Sequence, residues 1–304
     1  MARAEANGIE IEYELRGPAG GEPILMIGGL GMQLISWPDA LIDGLGEAGF
    51  RPILFDNRDC GLSTRFEEAG LANIGRAFKQ ARAGEPVDAP YTIEDMADDG
   101  AGLLDALGIE AAHIYGSSNG GAIAQLVAIR HPARTKSLAS VMATSGRRGL
   151  PRPSQATSEW LNTPRPADID RGTFMALAWE QNRIMGSPGF PRDEAGVRAR
   201  AGVLYDRAYY PPGHGRHLLA SIASGDSRCA ALGGITAPTV VIHGAEDPLM
   251  PVGQGEDVKN SIPGARMVVI EGMGHDVPEG AAPRVVRAVA ENARRAGQGA
   301  TFSD

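Results

Sequence analysis

Short apolar runs separated by amphipathic stretches recur along most of this chain of 304 residues. Residues 8–15 alternate apolar and polar side chains, which is typical of an antiparallel strand with one solvent-facing side. Residues 92–107 open with a Thr-Ile-Glu-Asp capping box and continue as a helix. The alternation predicts an α/β fold with a mostly parallel central sheet flanked by helices. The predicted parallel strands are the short continuous apolar runs at residues 23–27, 52–55, 112–115, 137–142, 239–243 and 266–270.

The alternation stops between about residue 145 and residue 234, where no strand pattern occurs. Helical stretches occupy residues 174–185 and 195–209 instead. An interruption of this size between two core strands predicts a helical cap inserted into the sheet domain. The expected division is a core domain of residues 1–145 and 235–304 and a helical cap of residues 146–234.

Residues 116–121 read Gly-Ser-Ser-Asn-Gly-Gly and lie directly between a predicted strand and a predicted helix. A serine at such a turn is held in a strained conformation, and glycines two residues to either side let the strand and helix pack closely. This context predicts a nucleophile elbow with Ser118 as the attacking residue. A glycine-rich loop that merely turns the chain is the alternative, because the Gly-x-Ser-x-Gly pattern also arises by chance.

A nucleophilic serine needs a general base, and the base needs an acid that orients it. Asp247 follows the predicted strand at 239–243, and His275 follows the one at 266–270. The order Ser118, Asp247, His275 is the one expected when these groups follow successive strands of one sheet. Glu246 is the neighbouring carboxylate, but Asp247 directly precedes a proline and is the preferred acid.

The other histidines have simpler interpretations. His113 and His243 lie in predicted strands and are expected to be packed or hydrogen-bonded. His131 lies where the helix after the elbow must end, close to the negative end of the helix dipole. His214 and His217 lie in the insertion, from which they could reach a substrate.

Acyl transfer at a serine also needs two N–H donors for the oxyanion. One expected donor is the N–H of Asn119, directly after the serine. The other is the N–H of Leu30, in the glycine-rich loop after the strand at 23–27. That loop fits neither a dinucleotide fingerprint nor a P-loop. Most aromatic residues of the cap are expected to pack, but some must line the pocket, and the candidates for substrate contact are Trp37, Trp179 and Tyr209.

The chain resembles an α/β-hydrolase-fold esterase, and within that superfamily the aclacinomycin methyl esterase type. The resemblance implies an α/β-hydrolase fold and a serine esterase activity. The Asp56 and Arg58 pair is expected to brace a loop beneath the site. The chain departs from the family pattern at two positions. Many relatives carry a histidine where this chain has Gly28, and a Met or Gln is more common where it has Asn119. The resemblance spans most of the chain and is carried by residues 56–63, 116–121, 244–248 and 272–275 and by Ser36-Trp37-Pro38.

Charge, apolar runs and cysteine spacing limit the classes of binding partner and the cellular compartment to be expected. A net charge of −8 argues against nucleic acid or an anionic membrane surface as a partner. No apolar run is long enough to span a bilayer, and the first residues lack the apolar segment of a secretory signal. Cys60 and Cys229 have neither metal-ligand nor redox spacing, so a reducing cytoplasm is expected. Whether the chain pairs as a homodimer is left open.

The predicted reaction is hydrolysis of a small-molecule carboxylic ester, of methanol or another small alcohol, through an acyl-enzyme. Neither a metal nor an organic cofactor is implied. The same triad can also serve carbon–carbon bond hydrolysis, lactone opening or cofactor-free perhydrolysis. Haloalkane dehalogenases and epoxide hydrolases are disfavoured because they need an aspartate where Ser118 stands. A non-catalytic receptor of this fold usually has a degraded triad, whereas this one is complete.

Overall fold

The computed structural model describes residues 1–163, 168–225 and 227–297. The predicted core and cap also include residues 164–167, 226 and 298–304, which lie outside the described residues. Eight strands of the described part form one sheet. They are β1 (Ala2–Ala6), β2 (Ile9–Leu15), β3 (Glu22–Ile27), β4 (Phe50–Phe55), β5 (Ala112–Ser117), β6 (Thr135–Val141), β7 (Thr239–Gly244) and β8 (Arg266–Ile270).

The strand order is β1-β2-β4-β3-β5-β6-β7-β8, with β1, β2 and β4 paired antiparallel and all further neighbours parallel. The loops after the parallel strands therefore meet at one edge of the sheet. In the register, Ile27 of β3 lies beside Gly116 of β5, so the loop after β3 adjoins the residue after β5. The predicted mostly parallel sheet is confirmed, and β1 is an additional edge strand that the apolar pattern did not predict.

Helices cover both faces of the sheet. Apolar residues of α3 (Ile93–Ala106) and α4 (Asn119–Arg130) pack with β5 in one buried cluster. Those of α1 (Asp39–Glu47) and α11 (Ala282–Gly297) pack on the opposite face. All residues of β5 and β7 are buried, which explains why these strands are continuous apolar runs. The helices of the described residues are α1 (Asp39–Glu47), α2 (Ile74–Ala83), α3 (Ile93–Ala106), α4 (Asn119–Arg130), α5 (Gln155–Asn162), α6 (Arg171–Met185), α7 (Glu194–Ala208), α8 (Pro211–Ser224), α9 (Ser227–Ala231), α10 (Val252–Ser261) and α11 (Ala282–Gly297).

The start of α3 shows how the sequence sets a helix boundary. The Thr92 hydroxyl accepts from the Asp95 N–H, and the Asp95 carboxylate accepts from the Thr92 N–H at 2.7 Å. Two N–H groups that the helix itself cannot satisfy are thereby paired. The predicted capping box is confirmed.

Helices α5 to α9 lie between β6 and β7, and the described residues of this stretch contain no strand. Within it, α6 and α7 pack extensively against each other, and α8 packs against α2 and α3. The division of the chain into a core and a cap stays a prediction. None of the helices in the described ranges has the length and apolar character needed to cross a membrane.

Candidate active site

Ser118 occupies a sharp turn between β5 and α4. Its φ of 56° and ψ of −122° are strained for a residue with a side chain. The flanking positions have no room for a side chain, because a Cβ at Gly116 would lie 2.1 Å from the Gly120 carbonyl oxygen. A Cβ at Gly120 would lie 2.1 Å from the carbonyl oxygen of Ile27. The strand, the turn and the helix therefore have the geometry of a nucleophile elbow.

Three side chains from different loops form one hydrogen-bonded chain at this edge of the sheet. His275 Nε2 lies 2.9 Å from Ser118 Oγ, and His275 Nδ1 lies 2.7 Å from Asp247 Oδ2. An ionised carboxylate can only accept, so Nδ1 carries the ring proton and Nε2 is free to accept from the serine hydroxyl. The structure thus brings together all three residues that the sequence singled out.

Asp247 is buried and held in place by the backbone. Its Oδ1 accepts from the N–H groups of Leu249 and Met250 at 2.9 and 2.8 Å, which leaves Oδ2 for the imidazole. Glu246, the competing carboxylate, is exposed to solvent. The turn after β7 therefore directs Asp247, and not its neighbour, toward His275.

A second histidine lies close to this acid. His243 Nε2 is 2.7 Å from the Met250 carbonyl oxygen and 3.6 Å from Asp247 Oδ2. Burial lowers the pKa of His243, so the ring remains neutral and donates to the carbonyl. His243 is packed and hydrogen-bonded beneath the site, as expected for a histidine within a strand.

The loop that carries His275 is fixed by the end of α6. The His275 N–H donates to the Met185 carbonyl at 2.7 Å, and the Gly274 N–H donates to Ser187 Oγ at 2.9 Å. A Cβ at Gly274 would lie 2.6 Å from the Gly186 carbonyl oxygen. Sequence reasoning missed these residues, because no local pattern links the end of a helix to a loop almost 90 positions later.

The two predicted oxyanion donors are Asn119, directly after Ser118, and Leu30, in the loop after β3. Asn119 is the first residue of α4, where helix N–H groups lack partners within the helix. Leu30 follows Gly29, whose added Cβ would lie 3.4 Å from the Ser118 Cβ, so this loop lies beside Ser118. No residue of the described ranges accepts a hydrogen bond from the N–H of Leu30 or Asn119. Their role in binding an oxyanion stays a prediction.

The three residues expected to contact substrate have different surroundings. Trp37 is 4 % exposed and packs edge-on against Tyr115, with ring centroids 5.6 Å apart. Trp179 is half-buried on α6. Tyr209 stacks on Tyr205 at 4.7 Å and contacts Phe174. Their role in substrate binding stays a prediction.

Asp56 and Arg58, in the loop after β4, brace separate parts of the molecule. Asp56 accepts from the Leu34 N–H at 2.7 Å and pairs with Arg207 of α7 at 2.8 Å. Arg58 instead forms a bidentate pair with Asp99 of α3. Within the described residues, no cluster of His, Cys, Asp and Glu is arranged to hold a metal ion.

The family model described as alpha/beta hydrolase fold matches residues 22–281 of the chain. The chain therefore belongs to the α/β-hydrolase fold family. Two similar relatives are rhodomycin D methylesterases: DauP of Streptomyces sp. (strain C5) is 29% identical and DnrP of Streptomyces peucetius 30% identical. Each alignment covers 84% of this chain and 85% of the relative.

The fold is also shared with a solved structure, that of the meta-cleavage product hydrolase CumD from Pseudomonas fluorescens IP01. The TM-score is 0.71 at 20% identity, covering 97% of this chain and 98% of that one. These findings confirm the predicted fold and the resemblance to the aclacinomycin methyl esterase type. The protein is a carboxylic ester hydrolase of this family.

Proposed function

We propose that the enzyme hydrolyses a small-molecule ester of methanol or another small alcohol through an acyl-enzyme on Ser118. The observation that carries the proposal is the continuous hydrogen-bonded chain from Asp247 through His275 to Ser118. The methylesterase relatives support the small alcohol.

Each group has one role in the proposed reaction. His275 Nε2 takes the proton of the Ser118 hydroxyl as its oxygen attacks the ester carbonyl. Asp247 holds the imidazole in the reactive tautomer and stabilises its positive charge. The N–H groups of Leu30 and Asn119 bind the oxyanion. His275 then gives the proton to the leaving alcohol, and a water molecule repeats the attack on the acyl-enzyme.

The helices between β6 and β7 are proposed to form the cap that selects the substrate. The Met185 and Ser187 contacts to the His275 loop support this, because they place the end of α6 beside the triad. Trp37, Trp179 and Tyr209 are proposed to shape the pocket. The half-buried state of Trp179 is compatible with contact to a ligand, whereas the buried Trp37 would act from beneath the pocket wall.

The remaining expectations concern partners and location. A small molecule, and not nucleic acid or a membrane, is proposed as the partner, and the net charge of −8 supports this. The cytoplasm is the proposed compartment, supported by the spacing of the two cysteines, which do not pair. Sedimentation of the purified protein would decide between a monomer and a homodimer.

The nucleophile is tested with a fluorophosphonate probe on the wild-type enzyme and two serine variants. Labelling should be lost in Ser118→Ala and kept in Ser117→Ala, which removes the neighbouring hydroxyl. A labelled Ser118→Ala variant would overturn the proposed elbow register.

The substrate class is tested with a panel of methyl, short-chain alkyl and aryl esters, with a vinylogous diketone as a carbon–carbon substrate. Methyl and short-chain esters should give the highest kcat/KM. Faster cleavage of the diketone than of every ester would overturn the proposed ester substrate in favour of carbon–carbon hydrolysis. Both outcomes are independent of the labelling result, since either reaction uses the same serine.

A further inference from the structure

We propose that α8 positions the oxyanion hole: His217 holds the loop that carries Leu30, and Ser221 holds Asn119. Neither residue hydrogen-bonds Ser118, Asp247 or His275, so both act through the donors that they orient. The inference rests on the acyl-enzyme function proposed above and deepens it by naming what fixes the two donors.

His217 is fully buried and bridges two loops of the sheet edge. Its Nδ1 accepts from the Gly31 N–H at 3.2 Å, and its Nε2 lies 2.5 Å from the Arg58 carbonyl oxygen. A carbonyl can only accept and an N–H can only donate, so the ring is neutral with its proton on Nε2. Burial also lowers the pKa of His217, which keeps the ring neutral.

The Gly31 bond fixes the peptide next to the Leu30 donor. Gly31 has a φ of 67°, which suits glycine, and its added Cβ would lie 2.7 Å from His214 Nδ1. Two rings of α8 therefore close on this loop. Gly28, earlier in the loop, has no side chain that could hold it from within. The position of the Leu30 N–H relative to Ser118 thus depends on a helix 186 residues away in sequence.

The second donor is held one helical turn further along α8. Ser221 Oγ donates to Asn119 Oδ1 at 2.7 Å. The same hydroxyl lies 3.0 Å from the His217 carbonyl oxygen, so its single proton lies between two acceptors, and the bond at 2.7 Å to Asn119 is the shorter one. Positions i and i+4 lie on one face of a helix, which is why the two residues reach the two halves of the oxyanion hole.

α8 is itself anchored and can serve as a fixed reference. Arg216 donates from Nε and Nη2 to the two oxygens of Asp59 at 2.7 and 2.8 Å, and both side chains are buried. Backbone contact is equally close, since a Cβ at Gly213 would lie 1.9 Å from the Asp59 carbonyl oxygen. Because α8 is held rigidly on the core, the residues that it hydrogen-bonds, Gly31 and Asn119, are held in place as well.

Two substitutions at one position separate positioning from mere packing. In His217→Asn, the amide oxygen can replace Nδ1 as the acceptor for Gly31. In His217→Gln, the amide nitrogen can replace Nε2 as the donor to Arg58, but no acceptor faces Gly31. Oxyanion binding strengthens in the transition state, so a loosened donor lowers kcat more than it raises KM.

We expect His217→Gln to lose about tenfold or more in kcat with little change in KM, because loss of a whole donor costs about 10²–10³. His217→Asn should recover most of that loss. The rate of phosphonylation by the fluorophosphonate probe should follow the same ranking. Equal kcat in both variants, or a larger loss in His217→Asn, would overturn the role of the Gly31 bond.

Ser221→Ala keeps the proposal falsifiable if His217→Gln fails to fold. Its matched control is Ser224→Ala, on the same helix, which loses a bond to Glu94 of α3 and none to Asn119. We expect kcat to fall severalfold in Ser221→Ala only, at unchanged KM. Equal kcat in the two serine variants would overturn the proposal. Failure of wild-type labelling at Ser118 would instead refute the proposed function, so the two failures are distinguishable.

Discussion

The ion pair between Asp59 and Arg216 is buried and provides a sharp test of what holds α8 on the core. The side chains are 0% and 1% exposed. Asp59 also accepts from the Tyr91 hydroxyl at 2.7 Å and from the Phe66 N–H at 2.8 Å. Burial alone would raise the pKa of Asp59, but the hydrogen bonds from Arg216 and its neighbours hold it below its ordinary value.

Arg216→Met keeps an unbranched apolar stem and removes the guanidinium group with its charge. The Asp59 carboxylate then stays buried with two neutral donors and no cation. Removing one partner of a buried pair costs about 3–5 kcal/mol of the free energy of unfolding. For a chain of this length, such a loss lowers Tm by about 5–8 °C.

The loss should depend on pH in a defined direction. In the wild type, the lowered pKa of Asp59 contributes stability above the ordinary carboxyl pKa, and this is lost as the pH falls through the folded value. In Arg216→Met, burial without a cation raises the pKa of Asp59, so the group protonates in the folded state. The Tm difference between wild type and variant should therefore shrink between about pH 7.5 and about pH 4.5.

The assay is thermal unfolding followed by circular dichroism at both pH values. The control is Arg171→Met, which breaks the exposed pair between Arg171 and Asp206 and should barely move Tm. If Arg216→Met lowered Tm no more than Arg171→Met, or if its deficit grew as the pH fell, the buried pair would not be the anchor described here.

Three further outcomes test the site and the core. Gly120→Ala should lower both Tm and kcat/KM, because its Cβ would lie 2.1 Å from a backbone oxygen. The free energy of unfolding should decrease by about 1–3 kcal/mol or more. Gly20→Ala, whose Cβ would have nothing within 4 Å, should change neither Tm nor kcat/KM. Asp247→Asn should lower kcat by about 10³–10⁴ through the wrong imidazole tautomer. A larger loss in Glu246→Gln would reverse the assignment of the acid. Burial lowers the pKa of His113 from 6.5 to about 4. The free energy of unfolding should therefore decrease as the pH falls from about 6.5 to about 4. Urea unfolding should show a less steep decrease in His113→Asn than in the wild type.

The strands were predictable from the sequence because burial on both faces leaves a local signature. The apolar runs at 112–115 and 239–243 fall within β5 and β7, where every residue is buried. β1 was missed because its inward positions are alanines between charged residues, and its stability comes from pairing with β2. The positions of Ser118, Asp247 and His275 after successive strands were equally readable, since chain order and strand ends are local facts.

The contacts that hold the site were not readable in the same way. α8 begins with two prolines and carries two glycines in its first turns. It therefore lacks the strong apolar stripe by which an amphipathic helix is recognised in a sequence. Its bonds to Gly31 and Asn119 span 186 and 102 residues. Only the folded chain brings these partners together, because the pairing depends on how an inserted helix lies over the sheet edge.

Adjacent residues of α8 are therefore expected to separate stability from chemistry. Arg216 supplies a buried ion pair to Asp59, whereas His217 accepts from the Gly31 N–H and is proposed to position the oxyanion loop. Loss of the Arg216 charge should mainly lower Tm, because the buried ion pair stabilises the folded state. Loss of the Gly31 acceptor in His217→Gln should appear first in kcat, since one neutral hydrogen bond contributes only about 1 kcal/mol to folding. Consecutive positions of one helix would then differ in their main effect, one on stability and one on turnover, because their side chains bind different partners.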